Sequence, residues 1–392
     1  MKKLAVITSH PIQYNAPLFK TLAERKNIEI KVFYTWSQAE QGFFDTEFDR
    51  QIKWDIPLLD GYNYEFIKNI SKKPSSKHFF GIICPDLINK ISAQNPDAIL
   101  VYGWAFYAHL KVLKYFHGKI PVFFRGDSNL IDENFGAKKI FRRLFLKYVY
   151  KLVDCAFFVG THNKKYFLQS GLKEKQLIYL PYTIDTNHFK DSETKQYQKK
   201  ANEIRKNLGI KPTDKVLAFI GKFIKKKNPV FVLKAIKKYN SENKKQIKLV
   251  FIGDGKQKSL LKKLSENDKN IFFLPFMNQK EMPTAYRIAD IFVLPSKGPY
   301  ETWGISVNEA LTCERLVLVS NKVGSAVDLV ENNINGEIFI YNRMNDFIKK
   351  LKILNNKNRT LIQENRTFSD LENTANILEL SVITNIKTFT DA

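Results

Sequence analysis

Cysteine is scarce: Cys84, Cys155 and Cys313 are the three in 392 residues. They are far apart, odd in number and set in apolar surroundings, and no Cys-x-x-Cys spacing occurs. A disulfide scaffold and a thiolate metal site are therefore excluded, and the three read as buried small hydrophobes in a reducing compartment. Long hydrophobic runs are also missing. The first apolar run, Leu4–Ile7, stops at Thr8-Ser9-His10. It is too short for a signal-peptide core, and nothing approaches the ~18 apolar residues of a membrane-spanning helix. The expectation is a soluble, cytoplasmic protein, at most peripheral on the inner face of a membrane. Acidic residues are in deficit, 39 against 63 Lys and Arg, for a formal net charge of +24. Such an excess attracts phosphates on nucleotides, lipids or nucleic acids. Specific nucleic-acid binding is the remote reading, because the lysines are scattered and no helix-turn-helix, zinc-finger or aromatic RNA-binding signature occurs.

What is present is globular. Hydrophobic residues at 44% and charged residues at 26% argue against disorder. The length exceeds one ordinary core, so two domains are expected. A short apolar run, a helical pattern and another apolar run recur from the start: LAVITSH, PLFKTLAER, NIEIKVFYTW. Strands over 97–103, 120–126, 155–160 and 176–181 follow, with helices near 105–116, 137–153 and 162–170 between them. The polar, lysine-rich stretch Asp191–Asn207 reads as a linker and the first helix of a second domain. There the alternation restarts, with strands over 215–221, 247–255, 270–276, 291–296, 316–320 and 337–341 and helices over 228–239, 256–264, 279–288 and 305–312. Such alternation predicts α/β architecture: two Rossmann-like domains with parallel sheets facing across a cleft, ligands lying at the carboxyl ends of the strands. The boundaries expected are 1–190 and 200–365, with a helix at about 370–392 crossing back to the first domain.

Chemistry concentrates in the second domain. Gly221-Lys222-Phe223-Ile224-Lys225-Lys226-Lys227-Asn228-Pro229 follows a strand and precedes a helix. Glycine permits the tight turn, and lysines there can neutralise a diphosphate, although a merely solvated basic loop has the same composition. Gly253-Asp254-Gly255 closes the next strand. Glu301-Thr302-Trp303-Gly304-Ile305-Ser306-Val307-Asn308-Glu309 places two carboxylates eight positions apart around a glycine and a helix start. Carboxylates hold sugar and ribose hydroxyls well, and amides near Gly304 and Ile305 favour an electron-rich ligand. A surface loop with a helix-terminal glutamate is the plainer alternative.

With these residues in view, the chain resembles the retaining glycosyltransferases of family 4, which have the GT-B fold. The matching patterns, in order, are the G-K-F-x-x-x-K-N-P loop, L-V-F-I-G-D-G, Pro275-Phe276, Tyr286-Arg287-Ile288-Ala289-Asp290, Phe292-Val293-Leu294-Pro295-Ser296, the E-x7-E pair and Val323-Gly324-Ser325. Val153-Asp154-Cys155-Ala156 and Pro181-Tyr182-Thr183-Ile184-Asp185 extend it into the first domain. The resemblance implies transfer of a sugar from a nucleotide diphosphate sugar to an acceptor, a lipid-linked or surface-polysaccharide glycan. It implies that Lys222 and Lys227, with Gly221, bind the diphosphate, that Glu309 holds the ribose, and that Glu301 contacts the transferred sugar. The loop Thr302, Trp303, Gly304, Ile305 would support sugar and phosphate through its backbone, and Phe276 and Met277 would lie where family members hold the base. Lys222 stands where the family usually has arginine, which keeps the charge and loses the bidentate fork.

On the acceptor side His10, Asn15, Arg125 and Asp127 are the candidates. Asn15 is a candidate helix cap with Pro17 in the first turn. Arg125-Gly126-Asp127 replaces the histidine that commonly follows this strand. Asp127 either orients a reacting hydroxyl or satisfies backbone amides in a turn, and His10 likewise has a plain loop or cap role open to it. No cofactor or essential metal is expected, because no Asp-x-Asp pair adjoins the phosphate site. A nucleotide-sugar epimerase or hydrolase of GT-B type is the nearest alternative. Over Ala137–Asp154, Lys139, Arg143, Lys147 and Lys151 recur beside Ile140, Phe141, Leu144, Phe145 and Tyr148. This is either an ordinary sheet-covering helix with a basic stripe or one that lies on anionic lipid.

Overall fold

A computed structural model describes residues 1–39, 43–45, 50–133, 136–298, 301–357 and 370–390. Two compact units emerge: Met1–Phe43, Ile56–Asp185 and Ser369–Ala392 in the first, Phe44–Asp55 and Thr186–Phe368 in the second.

In chain order the strands are β1 (Lys2–Thr8), β2 (Ile28–Tyr34), the short pair β3 (Phe43–Asp45) and β4 (Arg50–Ile52), β5 (Asn63–Phe66), β6 (Ala98–Tyr102), β7 (Val122–Arg125), β8 (Cys155–Phe158) and β9 (Leu177–Tyr179). Those of the second sheet are β10 (Lys215–Ile220), β11 (Ile247–Ile252), β12 (Ile271–Leu274), β13 (Ile291–Leu294), β14 (Leu316–Ser320) and β15 (Gly336–Phe339). The first sheet runs β5-β2-β1-β6-β7-β8-β9 and the second β12-β11-β10-β13-β14-β15. Every described pairing in both is parallel.

Continuous apolar strands give this result because both faces of a parallel sheet are covered. Along β1 the side chains alternate between two cores: Ala5 and Ile7 join one, Leu4 and Val6 the other. The second of these cores is completed by the helix Leu371–Thr390, which contributes Ala375, Leu378, Val382 and Ile386. Arg25 fixes that helix through Glu379 at 2.9 Å and Glu372 at 2.7 Å.

Each sheet has one point where the strand order reverses: between β1 and β6 in the first, between β10 and β13 in the second. Loops leaving the carboxyl ends of such neighbours diverge and leave a crevice, the usual ligand position in open α/β sheets. The sequence Asp191–Asn207 runs from a connecting segment into a helix. Its second half is the helix Tyr197–Asn207, which buries Ala201 and Arg205. Arg205 approaches Asp290 at 3.4 Å, and that carboxylate also takes the Val216 amide at 2.8 Å.

The helix Ala137–Tyr150 departs from its sheet-covering pattern. Its covering residues are Leu146, Val149 and Tyr150, while Ile140, Phe141, Leu144, Phe145 and Tyr148 are exposed, Phe141 by 73%. The side chain of Lys139 lies outside the described residues. Among the described residues no helix is long and apolar enough to cross a membrane, and all three cysteines are buried and free.

Candidate active site

The lysine loop is anchored rather than loosely solvated. After β10, the Gly221 amide donates to the Ile252 carbonyl at 2.9 Å, and the Phe223 amide donates to Asp254 at 2.7 Å. The Phe223 ring is buried against Phe219 and Phe251. Gly253 lies so close that a Cβ there would sit 2.1 Å from the Gly221 carbonyl oxygen. One tight turn, Lys225–Lys227, then leads to Asn228 in the left-handed region (φ 58°), and Pro229 opens the helix Pro229–Glu242. Lys297 donates its amide to the Lys226 carbonyl at 3.0 Å, tying the loop after β13 to the loop after β10.

Across that tie the functional groups meet. Lys227 Nζ is 2.7 Å from Glu301 Oε2, and the Ser296 hydroxyl donates to the same oxygen at 2.7 Å. Ser320 in turn donates to the Ser296 carbonyl. Burial pushes the Glu301 carboxyl up, but the charge and hydrogen bond of Lys227, with Ser296 and the charge of Lys226, outweigh it and hold the group below its ordinary range. Glu301 is thus an ionised carboxylate in a nearly closed setting, 7% exposed. Its backbone carbonyl accepts from Gly324 at 3.1 Å, and that of Trp303 from Ser325 at 2.9 Å. Gly304 needs its positive φ of 90°, and a Cβ there would meet Val323 at 2.8 Å and Leu294 at 3.0 Å.

The helix Ser306–Thr312 begins with Val307 donating to the Gly304 carbonyl, so the Gly304 and Ile305 amides precede the helical ladder. One turn in, the buried Glu309 accepts from the Tyr286 hydroxyl at 2.6 Å. Burial raises its carboxyl to about 7, against the Tyr286 hydrogen bond and the charge of Lys227, which pull it down. One lysine therefore influences both carboxylates, and the two titrate apart: Glu301 is charged while Glu309 is half-protonated near neutrality.

Because folded Glu309 holds its proton up to about 7, against 4.5 ordinarily, the native state binds more protons between those values. Its contribution to stability is fully present below 4.5 and falls as pH rises through the folded value. Glu309→Gln is accordingly expected to flatten this part of the pH–stability curve, read from thermal melts between about pH 5 and about pH 8.

Of the other donor-side candidates, Trp303 is buried, with its indole donating to Asn308 at 2.9 Å, so only its backbone faces the loop network. Lys222 stands half-buried at the start of the lysine loop, Thr302 half-buried beside Glu301, and Phe276 and Met277 half-buried just past β12 at the same sheet edge. Sequence reasoning missed Ser296, Ser320 and Tyr286. Ser296 and Tyr286 lie in two of the matching motifs without a site role being given to them, and Ser320 lies on a strand whose sequence carries only a core pattern.

The first-unit candidates gather at the carboxyl edge of the other sheet. His10, just past β1, has Nδ1 2.9 Å from the Ser9 hydroxyl and its ring edge-on to Trp36. Burial lowers its pKa to about 4, which leaves a neutral imidazole at physiological pH. Asn15 occupies the cap position of Ala16–Arg25, yet its side chain makes no cap hydrogen bond, because its own backbone is already helical (φ −97°, ψ −38°). Arg125 ends β7, buried, with Nη2 donating to the Pro181 carbonyl at 3.2 Å. Asp127 accepts from the Tyr182 hydroxyl at 3.3 Å. Among the described residues no cluster of three His, Cys, Asp or Glu is placed to hold a metal.

Residues 200–367 match the family of glycosyl transferases group 1. That stretch carries the whole Lys227–Glu301–Glu309 constellation. An uncharacterized glycosyltransferase of Methanocaldococcus jannaschii is 26% identical over 197 residues, 50% of this chain and 45% of the relative. Spore coat protein SA of Bacillus subtilis is 25% identical over 48% of this chain and 51% of its own length. The chain thus spans about half the length of these curated relatives. Among solved structures, sucrose-phosphate synthase from Thermosynechococcus elongatus has a TM-score of 0.68 at 16% identity, with 100% of both chains covered. Anabaena HepE, solved with UDP and glucose, scores 0.61 at 16% identity over 100% of this chain and 99% of its own. UDP-GlcNAc 2-epimerase of M. jannaschii also scores 0.61, at 15% identity over 98% and 100%. The architecture, two Rossmann-like parallel sheets, is the GT-B fold.

Proposed function

We propose that this chain is a retaining glycosyltransferase of the family 4 type. It would move a sugar from a nucleotide diphosphate donor to a glycan or lipid-linked acceptor. The observation that carries the reading is the ion pair of Lys227 with buried Glu301, whose loop leads into the helix that carries Glu309, at the reversal point between β10 and β13. In this reading Lys222 and Lys227 stabilise the charge that develops on the diphosphate as the bond from the anomeric carbon to its phosphate oxygen breaks. The departing diphosphate accepts the proton of the acceptor hydroxyl, whose oxygen forms the new bond on the same face. Glu301 grasps sugar hydroxyls, and Glu309 the ribose. No metal is required by this scheme, so activity should survive chelation.

The complexes of HepE with UDP and with UDP-glucose favour a uridine donor as the first to try. The test is a thermal-shift screen of UDP and GDP sugars followed by analysis of labelled product. A donor that raises Tm and yields labelled acceptor with unchanged anomeric configuration supports transfer. Label found only in an epimer or in free sugar would replace the reading with the epimerase or hydrolase alternative, which has the same fold in a neighbour.

Glu309 adds a pH signature. The ionised carboxylate is the stronger acceptor of ribose hydroxyls, so donor affinity is expected to rise as pH passes through about 7. Calorimetric Kd values across that range should flatten in Glu309→Gln. A pH-independent wild type would separate Glu309 from the ribose.

Peripheral membrane contact belongs to the same proposal. The exposed row Ile140, Phe141, Leu144, Phe145 and Tyr148 adjoins Arg142, Arg143 and Lys147 on one helix, the combination that seats a helix at an anionic interface. Flotation with phosphatidylserine-containing vesicles at moderate salt is expected to retain the wild type and lose Phe141→Ser/Leu144→Ser. Equal flotation of both would remove this helix from any membrane role.

A further inference from the structure

The first unit carries a buried cation that the scheme above does not use. Arg125 is 4% exposed, and its guanidinium makes one hydrogen bond, from Nη2 to Pro181. Nε and Nη1 have no hydrogen-bond partner although both are buried. Among the described residues no ion pair joins this guanidinium to a carboxylate. Asp127, two residues further on, accepts from the Tyr182 hydroxyl. Around the guanidinium stand tyrosines: its carbon is 5.2 Å from the Tyr182 ring centroid and 6.0 Å from that of Tyr102. Tyr102 is the residue paired with Arg125 across β6 and β7, and its hydroxyl is likewise buried without a partner.

A cation–π contact offsets part of the cost of burying a guanidinium, but leaves the desolvation of the Nε and Nη1 donors uncompensated. On either edge of such a group a planar oxyanion can meet Nε–H or Nη1–H together with the neighbouring Nη2–H. The Tyr102 hydroxyl, on the neighbouring strand, is a third donor without a partner. These groups lie at the carboxyl edge of the first sheet, next to the order reversal between β1 and β6. On the loop side the cover is Tyr14 and Tyr182, half-buried and edge-on to one another at 5.2 Å.

The geometry points to an oxyanion subsite, in which Arg125 and the Tyr102 hydroxyl together receive a carboxylate or phosphate group borne by the acceptor. The word acceptor rests on the transferase reading; the subsite itself does not. Its consequence is an acidic acceptor, either a sugar carrying a carboxylate or a phosphate-linked carrier, and the two arms of the test separate these.

The test follows the Arg125 Nε–H resonance in arginine-labelled protein during titration with inorganic phosphate and, separately, with glucuronate, with glucose as the neutral control. Phosphate is also a ligand for the Lys227 loop, so the Arg125 signal rather than bulk stability is the readout. One or both anions are expected to shift it saturably, and glucose to leave it unmoved. Tyr102→Phe keeps the ring that packs on Phe19 and removes the third donor. It is expected to weaken the responding anion about tenfold. A resonance that neither anion moves overturns the proposal, and so does unchanged affinity in Tyr102→Phe. Donor binding measured on the same sample separates the outcomes. UDP-sugar stabilisation without an Arg125 response sinks the subsite alone, whereas an Arg125 response without any nucleotide binding sinks the transferase reading and leaves the subsite.

Discussion

Replacing Lys227 by alanine is expected to lower turnover by about 10²–10³-fold, the range seen when one preorganised electrostatic donor is removed from a transition state. In the proposed reaction this ammonium serves twice: it faces the leaving diphosphate, and it holds Glu301 ionised at 2.7 Å. Without it, Glu301 keeps the Ser296 hydroxyl as its side-chain hydrogen-bond partner, and burial then raises its carboxyl. Lys227→Arg keeps the charge and should lose far less. The measurement is kcat on donor and acceptor, with circular dichroism to establish that the variant is folded. Turnover near that of the wild type in Lys227→Ala would detach the ion pair from the chemistry.

Gly253→Ala should be the most damaging single methyl in the second unit. Its Cβ would lie 2.1 Å from the Gly221 carbonyl oxygen and 3.0 Å from the carbonyl carbon, at a φ of 139°. Backbone cannot yield as a flexible side chain can, so the ends of β10 and β11 must separate. A loss of about 3 kcal/mol is expected, roughly 10 °C in Tm for a unit of this size. The lysine loop begins at Gly221, so donor binding should fall with it. An unaltered melting temperature would show that the two strand ends part freely. Gly209, whose Cβ would meet nothing within 4 Å, is the control for positive φ without close contact.

The two variants probe levels of organisation that were unequally legible. Most strands of both sheets stand out as apolar runs because both faces of a parallel sheet are covered, whereas the edge strand β5, Asn-Tyr-Glu-Phe, carries no such run. The helix holding Glu309 was marked by its glycine and the loop before it. The lysine loop was visible as composition, but whether it was solvated or anchored depended on Asp254 and Lys297, which lie on other segments. Asn15 shows the same limit in reverse: a suitable cap residue in a suitable place, whose backbone conformation removes the capping geometry. The helix Ala137–Tyr150 shows it most clearly. Its apolar residues fitted either a sheet-covering face or a face on lipid; the contacts with the core are made by Leu146, Val149 and Tyr150, and the larger apolar row is left exposed. Periodicity reports that a face is apolar, not what it is turned toward.

The sequence by itself determined the alternation of elements, hence two parallel sheets, and the residue types available at each strand end. It also limited the covalent chemistry, with three isolated cysteines and no metal-ligand spacing. Only the tertiary structure decided which of those residues act on one another: that Lys227 grips Glu301, that Tyr286 and burial set Glu309 near neutrality, and that Arg125 is enclosed with Tyr102 beside it. The physical reason is range. Secondary structure follows from neighbours a few residues apart, whereas desolvation and ion pairing depend on segments brought together from distant parts of the chain, whose approach no local pattern encodes.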